Sequence, residues 1–81
     1  MPAGPADWLI ALGRALREAR LDRGHTQLSL SLETGVHRNY ISAIERAKGN
    51  PSVKKIAILA DELEMALDDL FCRAAELLPG H

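Results

Sequence analysis

The stretch TQLSLSLETGVHRNYISAIERAKGNP, Thr26 to Pro51, decides how this chain folds. Thr26 opens it with a hydroxyl able to cap a helix, and Leu28, Leu30 and Leu32 supply apolar positions. Gly35 follows where the chain must reverse through a backbone geometry that only glycine adopts cheaply. A second helix is expected beyond it, with Ile41 and Ile44 three apart on an inner face and Arg38, Asn39, Ser42 and Arg46 on the other. The pattern describes two short helices meeting at a tight turn. The outer face of the second is polar, short-armed and basic, which suits reading base edges in the major groove of DNA.

The 81 residues around this segment make one domain. At that size the buried fraction is low enough that a chain without disulfides or metal tends to lean on self-association. Nearly half the chain is apolar (47%), yet Trp8, Tyr40 and Phe71 are its only aromatic residues. Leu, Ala and Ile dominate, as in closely packed small helices, so the expected class is all-α. The single Cys72 excludes an internal disulfide framework and reads as a buried, inert thiol.

The net charge of −1 hides a division by position. Between residues 14 and 55 stand nine bases (Arg14, Arg17, Arg20, Arg23, Arg38, Arg46, Lys48, Lys54, Lys55) and four acids (Glu18, Asp22, Glu33, Glu45), a balance of +5. From Ile56 onward Arg73 stands alone against Asp61, Glu62, Glu64, Asp68, Asp69 and Glu76, a balance of −5. The two-helix motif therefore lies in the positive part. Arg14, Arg17, Arg20 and Arg23 are expected to be solvated, with Glu18 and Asp22 as local partners.

Outward from the motif, residues 1–6 read as a loose arm and residues 7–78 as the domain. Asp7 is expected to cap a helix bearing Leu9, Leu12, Leu16 and Ala19, which Gly24 ends. Trp8 reads as a staple closing that helix onto the core, with Leu28 packing under it or under the arm. After the turn at Gly49, Asn50 and Pro51, Ser52 is expected to cap a fourth helix with Val53, Ile56, Leu59, Ala60 and Leu63 on its apolar stripe. A fifth helix is expected over 67–77. Its apolar strip is wider than one helix of a small domain needs, so Leu70, Phe71, Ala74, Leu77 and Leu78 are assigned to a homodimer interface. Pro79-Gly80-His81 reads as a frayed end.

Other function classes find little support. No apolar run approaches the roughly 20 residues of a membrane span, and the first residues lack a secretory signal's basic flank. The expectation is a cytoplasmic, nucleoid-associated protein without membrane contact. His25, His37, His81 and Cys72 have no metal-ligand spacing, and no nucleophile has a neighbouring base and orienting acid. No metal, cofactor or enzymatic activity is therefore expected.

The arrangement resembles the Cro and phage-repressor, or Xre, family of helix-turn-helix proteins, including its short stand-alone members such as restriction-modification controller proteins. The resemblance rests on Thr26-Gln27, Leu30, Gly35, Tyr40-Ile41-Ser42 with Ile44-Glu45, Asn50-Pro51-Ser52, and Leu67-Asp68-Asp69-Leu70-Phe71. It implies a compact five-helix bundle with the helix-turn-helix at helices two and three. The implied function is a sequence-specific transcriptional regulator that binds double-stranded DNA at a roughly palindromic operator as a homodimer. Gln27 would then touch a phosphate. Arg38 and Asn39 would lead the base reading, in keeping with guanidinium on guanine and carboxamide on adenine. Ser42 would join either role, and Tyr40 would either meet sugar or a base edge or simply pack. Arg46 and Lys48 would meet phosphates.

His37 departs from the family's usual hydroxyl or Asp cap, so it is expected to act on the DNA backbone instead. Glu64 and Ala66 likewise replace the family's glycine stop and hydroxyl cap between helices four and five. An alternative reading is an antitoxin or accessory module whose acidic C-terminal half binds a protein partner, a toxin or RNA polymerase.

Overall fold

Five helices follow one another through short connections: α1 (Pro5–Asp22), α2 (Gln27–Thr34), α3 (Arg38–Glu45), α4 (Val53–Glu62) and α5 (Leu67–Glu76). The structure, a computed structural model, describes residues 2–79, so the expectation for Gly80 and His81 lies outside the described residues.

The start of α1 corrects the expected boundary at residue 7. Gly4 is the capping residue, Pro5 opens the helix, and the Asp7 carboxylate reaches back to accept the Gly4 N–H at 3.1 Å. Asp7 thus acts from inside the first turn, and two residues assigned to the arm belong to the helix. Proline is favoured at such a start because the N–H it lacks would have no helical partner.

Thr26 caps α2 as expected: its Oγ1 accepts from the Ser29 N–H (3.0 Å), while Ser29 Oγ accepts from the Thr26 N–H (2.9 Å). Gly35 ends α2 at φ 77°. Within α2 only Leu30 is buried, whereas Leu32 is 75% exposed and Leu28 also faces outward. Positions i, i+2 and i+4 do not share one helical face, so the three leucines could not all point inward. Leu28, about half exposed on the same side of α2 as Leu32, is accordingly not taken into the core.

Three helices stop in the same way. After α1, the His25 N–H bonds to the Arg20 carbonyl over Gly24 (φ 74°). After α3, Lys48 bonds back to Ala43 over Ala47 (φ 58°), and after α4, Met65 bonds back to Ala60 over Glu64 (φ 54°). Each is a left-handed helix stop that satisfies terminal carbonyls. Glycine makes only the first of them; Ala47 and Glu64 adopt the same conformation at a cost of about 1 kcal/mol each. Ser52 caps α4 through the Lys55 N–H at 3.1 Å, and α5 starts at Ala66 without a side-chain cap. Asp68 and Asp69 lie in its first turn, where the macrodipole favours negative charge.

The core holds Leu16, Leu30, Ile41, Ile56, Leu59, Leu63 and Leu70, with small residues Ala11, Ala15, Ala19, Ala60 and Ala74 between the helices. α1 lies along α5 and crosses α3 at Gly13, where an added Cβ would run into the backbone carbonyls of Ile44 and Glu45.

Several surface expectations need correction. Leu70 and Ala74 have no exposed surface (0%), so they fill the protomer's own core and cannot touch a second subunit; Phe71, Leu77 and Leu78 remain half-buried. Cys72 is exposed rather than buried, because it sits opposite Leu70 and Ala74 on α5. Trp8 stays partly exposed and lines an open groove of about 340 Å³ with Pro5, Leu9, Leu12, Pro51 and Phe71.

Candidate nucleic-acid interface

The helix-turn-helix is held from behind by a buried ion pair. Arg20, expected at the surface, points inward from α1 and grips Glu45 at the end of α3 with two bonds, Nε to Oε2 at 2.7 Å and Nη2 to Oε1 at 2.9 Å. The side chains are only 8% and 4% exposed. Arg20 Nη1 also donates to the His25 carbonyl at 2.8 Å, so one guanidinium joins α1, the start of α2 and the end of α3. A planar fork with five donors can do this, whereas a lysine could not. The clue in the sequence is position: Arg20 lies four residues beyond Leu16, on the buried side of the helix, and Gly13 lies seven residues before it on the same face. Both were missed because charge and glycine were read without their place on the helix.

At the front of the motif, Arg38 and Asn39 are exposed residues of the first turn of α3, as the sequence requires of groups that enter a groove. His37 corrects the expectation of a missing cap: its Nδ1 accepts the Asn39 N–H at 3.0 Å, so the imidazole itself starts the helix. An Nδ1 that accepts places the ring proton on Nε2, which leaves His37 with a donor beyond the helix start. Ser42, one turn on, accepts from Arg46 Nε through its Oγ at 3.2 Å, which draws the exposed Arg46 back along the helix. Lys48 follows α3 on the exposed connection to α4.

Two expected contact residues are engaged within the protein. The Tyr40 hydroxyl oxygen accepts the Ser52 N–H at 2.8 Å, and its ring lies 4.4 Å beneath the Lys55 ammonium. Tyr40 also packs against the core, so its visible work is to join α3 to the start of α4, in keeping with the packing alternative read from the sequence. Gln27 donates from Nε2 to Glu45 Oε1 at 3.2 Å and is half-buried, which fixes the first turn of α2 against the end of α3.

Arg38, Asn39, Ser42, Arg46, His37 and Lys48 thus share α3 and its two ends, while Gln27 stands at the neighbouring helix start. Among the described residues, no group of three or more His, Cys, Asp and Glu could hold a metal, and no helix is long and apolar enough to cross a membrane.

A family model for the helix-turn-helix (HTH_3) matches residues 16–70, which span α2 and α3 entirely. The chain belongs to this helix-turn-helix family. The Xre-type resemblance and the five-helix, all-α class read from the sequence are both borne out. The chain is 38% identical over 61 residues to the HTH-type transcriptional regulator SlrR of Bacillus subtilis, a match covering 74% of this chain but only 40% of that protein. The clp gene regulator ClgR from Corynebacterium glutamicum superimposes with a TM-score of 0.82 at 31% identity, over 88% of this chain and 91% of that one. The restriction-modification controller protein C.Esp1396I superimposes with a TM-score of 0.78 at 27% identity, over 86% of this chain and 92% of that one. C.Esp1396I has also been solved as a tetramer on its natural 35 base-pair operator, and in that form it matches this chain with a TM-score of 0.77.

Proposed function

We propose that this protein is a sequence-specific transcriptional regulator that binds double-stranded DNA as a homodimer at an approximately palindromic operator. The observation that carries the reading is the exposure of Arg38 and Asn39 in the first turn of α3, directly after the Gly35 turn. α3 enters the major groove, where the Arg38 guanidinium pairs with a guanine edge, the Asn39 carboxamide with an adenine edge, and Ser42 completes the contact. Phosphates are met by the His37 Nε2–H, Arg46, Lys48 and the first turn of α2 at Gln27, where free amide groups and the helix dipole favour anions. The C.Esp1396I operator complex supports the DNA reading by analogy of fold.

Two subunits place their α3 helices in successive grooves about 34 Å apart. The dimer surface proposed here is narrower than the sequence suggested: Phe71, Leu77 and Leu78 meet the second subunit, and Leu70 and Ala74 support them from inside.

Selection of bound duplexes from a random pool tests the proposal. Two inverted half-sites centred about 10 base pairs apart are expected. Enrichment of a single half-site, or a monomer in sedimentation at tens of micromolar, would overturn the homodimer; no enrichment at low salt would overturn the DNA reading.

A further inference from the structure

We infer that Arg46 fixes what Ser42 reads: it holds the Ser42 hydroxyl as a hydrogen-bond donor, so that α3 recognises an acceptor edge, guanine above all, at the base pair under Ser42. The inference deepens the DNA reading proposed above and rests on it. Arg46 is then a positioning residue for base recognition as well as a phosphate contact.

A hydroxyl on a helix commonly spends its hydrogen on a carbonyl three or four residues back. Thr34 does so to the Leu30 carbonyl at 2.7 Å, and Ser29 to the Thr26 carbonyl at 3.1 Å. Ser42 does not: among the described residues its Oγ acts only as an acceptor, of the Arg46 Nε–H at 3.2 Å. The Ser42 carbonyl shares that N–H at 3.4 Å, so the guanidinium is tied to both oxygens of one residue. One lone pair of the hydroxyl is therefore taken, its hydrogen is unspent, and a full positive charge stands beside it. A base amino group approaching that oxygen meets the charge head-on, whereas a base acceptor is drawn by it. Exposed in the free protein, the Ser42–Arg46 bond counts for little in stability; in a groove, where water is displaced, it strengthens.

Guanine offers two acceptors in the major groove, N7 and O6, adenine and thymine offer one each, and cytosine offers only its N4 amino donor. The order expected on the contacted strand therefore runs from guanine first to cytosine last. Along the helix axis Ser42 lies about 4.5 Å beyond Asn39 and about 6 Å beyond Arg38. Base pairs are about 3.4 Å apart, so Ser42 meets one of its own.

The remaining nitrogens of Arg46 serve the backbone. Among the described residues Arg46 has no carboxylate partner, and the adjacent Glu45 is turned to Arg20. With Nε directed at Ser42, the two Nη groups keep a fork for a phosphate. A phosphate contact that every sequence offers thus holds the reader of one base pair in its donor sense.

Selection of bound duplexes from a random pool, repeated with variants of the full chain checked for helicity by circular dichroism, tests this. The column that Ser42→Ala flattens is the one Ser42 reads, and there the wild type should favour guanine over cytosine by at least about tenfold. Arg46→Met and Lys48→Met each remove one phosphate contact, so each should reduce the salt slope of binding by about 0.9. Only Arg46→Met should also flatten the Ser42 column, to within about threefold, and the S42A/R46M double variant should flatten it no further than Ser42→Ala alone. A wild-type column that favours cytosine, Ser42→Ala flattening no column, Arg46→Met keeping the tenfold preference, or Lys48→Met losing it equally would each overturn the role of Arg46 while leaving the DNA reading intact. No enriched site for the wild type would overturn the DNA reading itself, and this inference with it.

Discussion

Breaking the Arg20–Glu45 pair should cost this domain a large part of its stability, whereas replacing both partners together should cost little. Glu45→Leu would leave the Arg20 guanidinium buried without a counter-charge and would remove two charge-assisted bonds of 2.7 and 2.9 Å, together with the 3.2 Å bond from Gln27. At about 1.5–3 kcal/mol for each bond to a charged group, the loss is about 3–5 kcal/mol, the range found when one partner of a buried pair is removed. A domain of this length shifts its melting point by roughly 4–8 °C per kcal/mol, so the variant should melt some tens of degrees lower. Arg20→Met should behave similarly, because it strands the Glu45 carboxylate and frees the His25 carbonyl. The double variant returns an apolar pair to the same space and should lie within about 2 kcal/mol of the wild type. Urea titration of the four proteins, read as a double-mutant cycle, measures the coupling. Repeating it at about 1 M salt separates buried from surface electrostatics, since an exposed pair would be screened away. Single variants that lose less than about 1 kcal/mol, or whose loss disappears at high salt, would refute the claim that this pair is desolvated and structural.

Gly13→Ala should destabilise by up to about 2 kcal/mol in thermal melts, because the clash with the Ile44 and Glu45 backbone carbonyls, at the upper end of about 1–3 kcal/mol, outweighs the gain in helix propensity of about 1 kcal/mol. Glu64→Gly should stabilise by about 0.5–1 kcal/mol in urea, since glycine adopts the left-handed stop at φ 54° without strain. The lost Arg23–Glu64 ion pair, 3.0 Å but exposed, offsets little of that gain. Tyr40→Phe should cost about 1 kcal/mol by removing the acceptor for the Ser52 N–H, with faster hydrogen exchange at Ser52 as the local sign. Arg38→Lys keeps the charge but loses the bidentate fork, so discrimination at one base pair should fall by about 1–3 kcal/mol while the dependence of binding on salt stays unchanged.

Local chemistry made the helix-turn-helix legible. Thr26, Gly35 and Ser52 act within three or four residues of themselves, and each does in the structure what its residue type favours. Features that depend on where a helix faces were less legible. Arg20 was assigned to solvent because arginines on helices usually are; its inward turn depends on Glu45, twenty-five residues away. The strip on α5 looked too wide for one helix because its neighbour was invisible: α1, which runs along it, takes up Leu70 and Ala74 and leaves Phe71, Leu77 and Leu78 half covered. The stops at Ala47 and Glu64 carried no glycine to announce them. The His37 cap was discounted because imidazole rarely plays that part, although an unprotonated ring nitrogen has the same ability to accept as a hydroxyl oxygen.

The parts of this molecule that hold α3 are separate from the parts that α3 presents. Arg20 and Gln27 hold its last turn through Glu45, Gly13 allows α1 to lie against its final carbonyls, and Tyr40 ties it to the start of α4. None of these depends on Arg38, Asn39 or Lys48, which project from the opposite side and from the ends. A base-reading side chain must be placed within a few tenths of an ångström to form a bidentate contact, and that placement comes from groups locked by their own partners. The outward residues of α3 are therefore free to change without loss of fold, and under the proposed function a change in the preferred operator would require no change in the helices behind it. The same separation explains why an acidic chain can present a cationic outer face on α3: the one acid of that helix, Glu45, is turned inward and neutralised by Arg20, so the outward cations stand without a competing carboxylate on it.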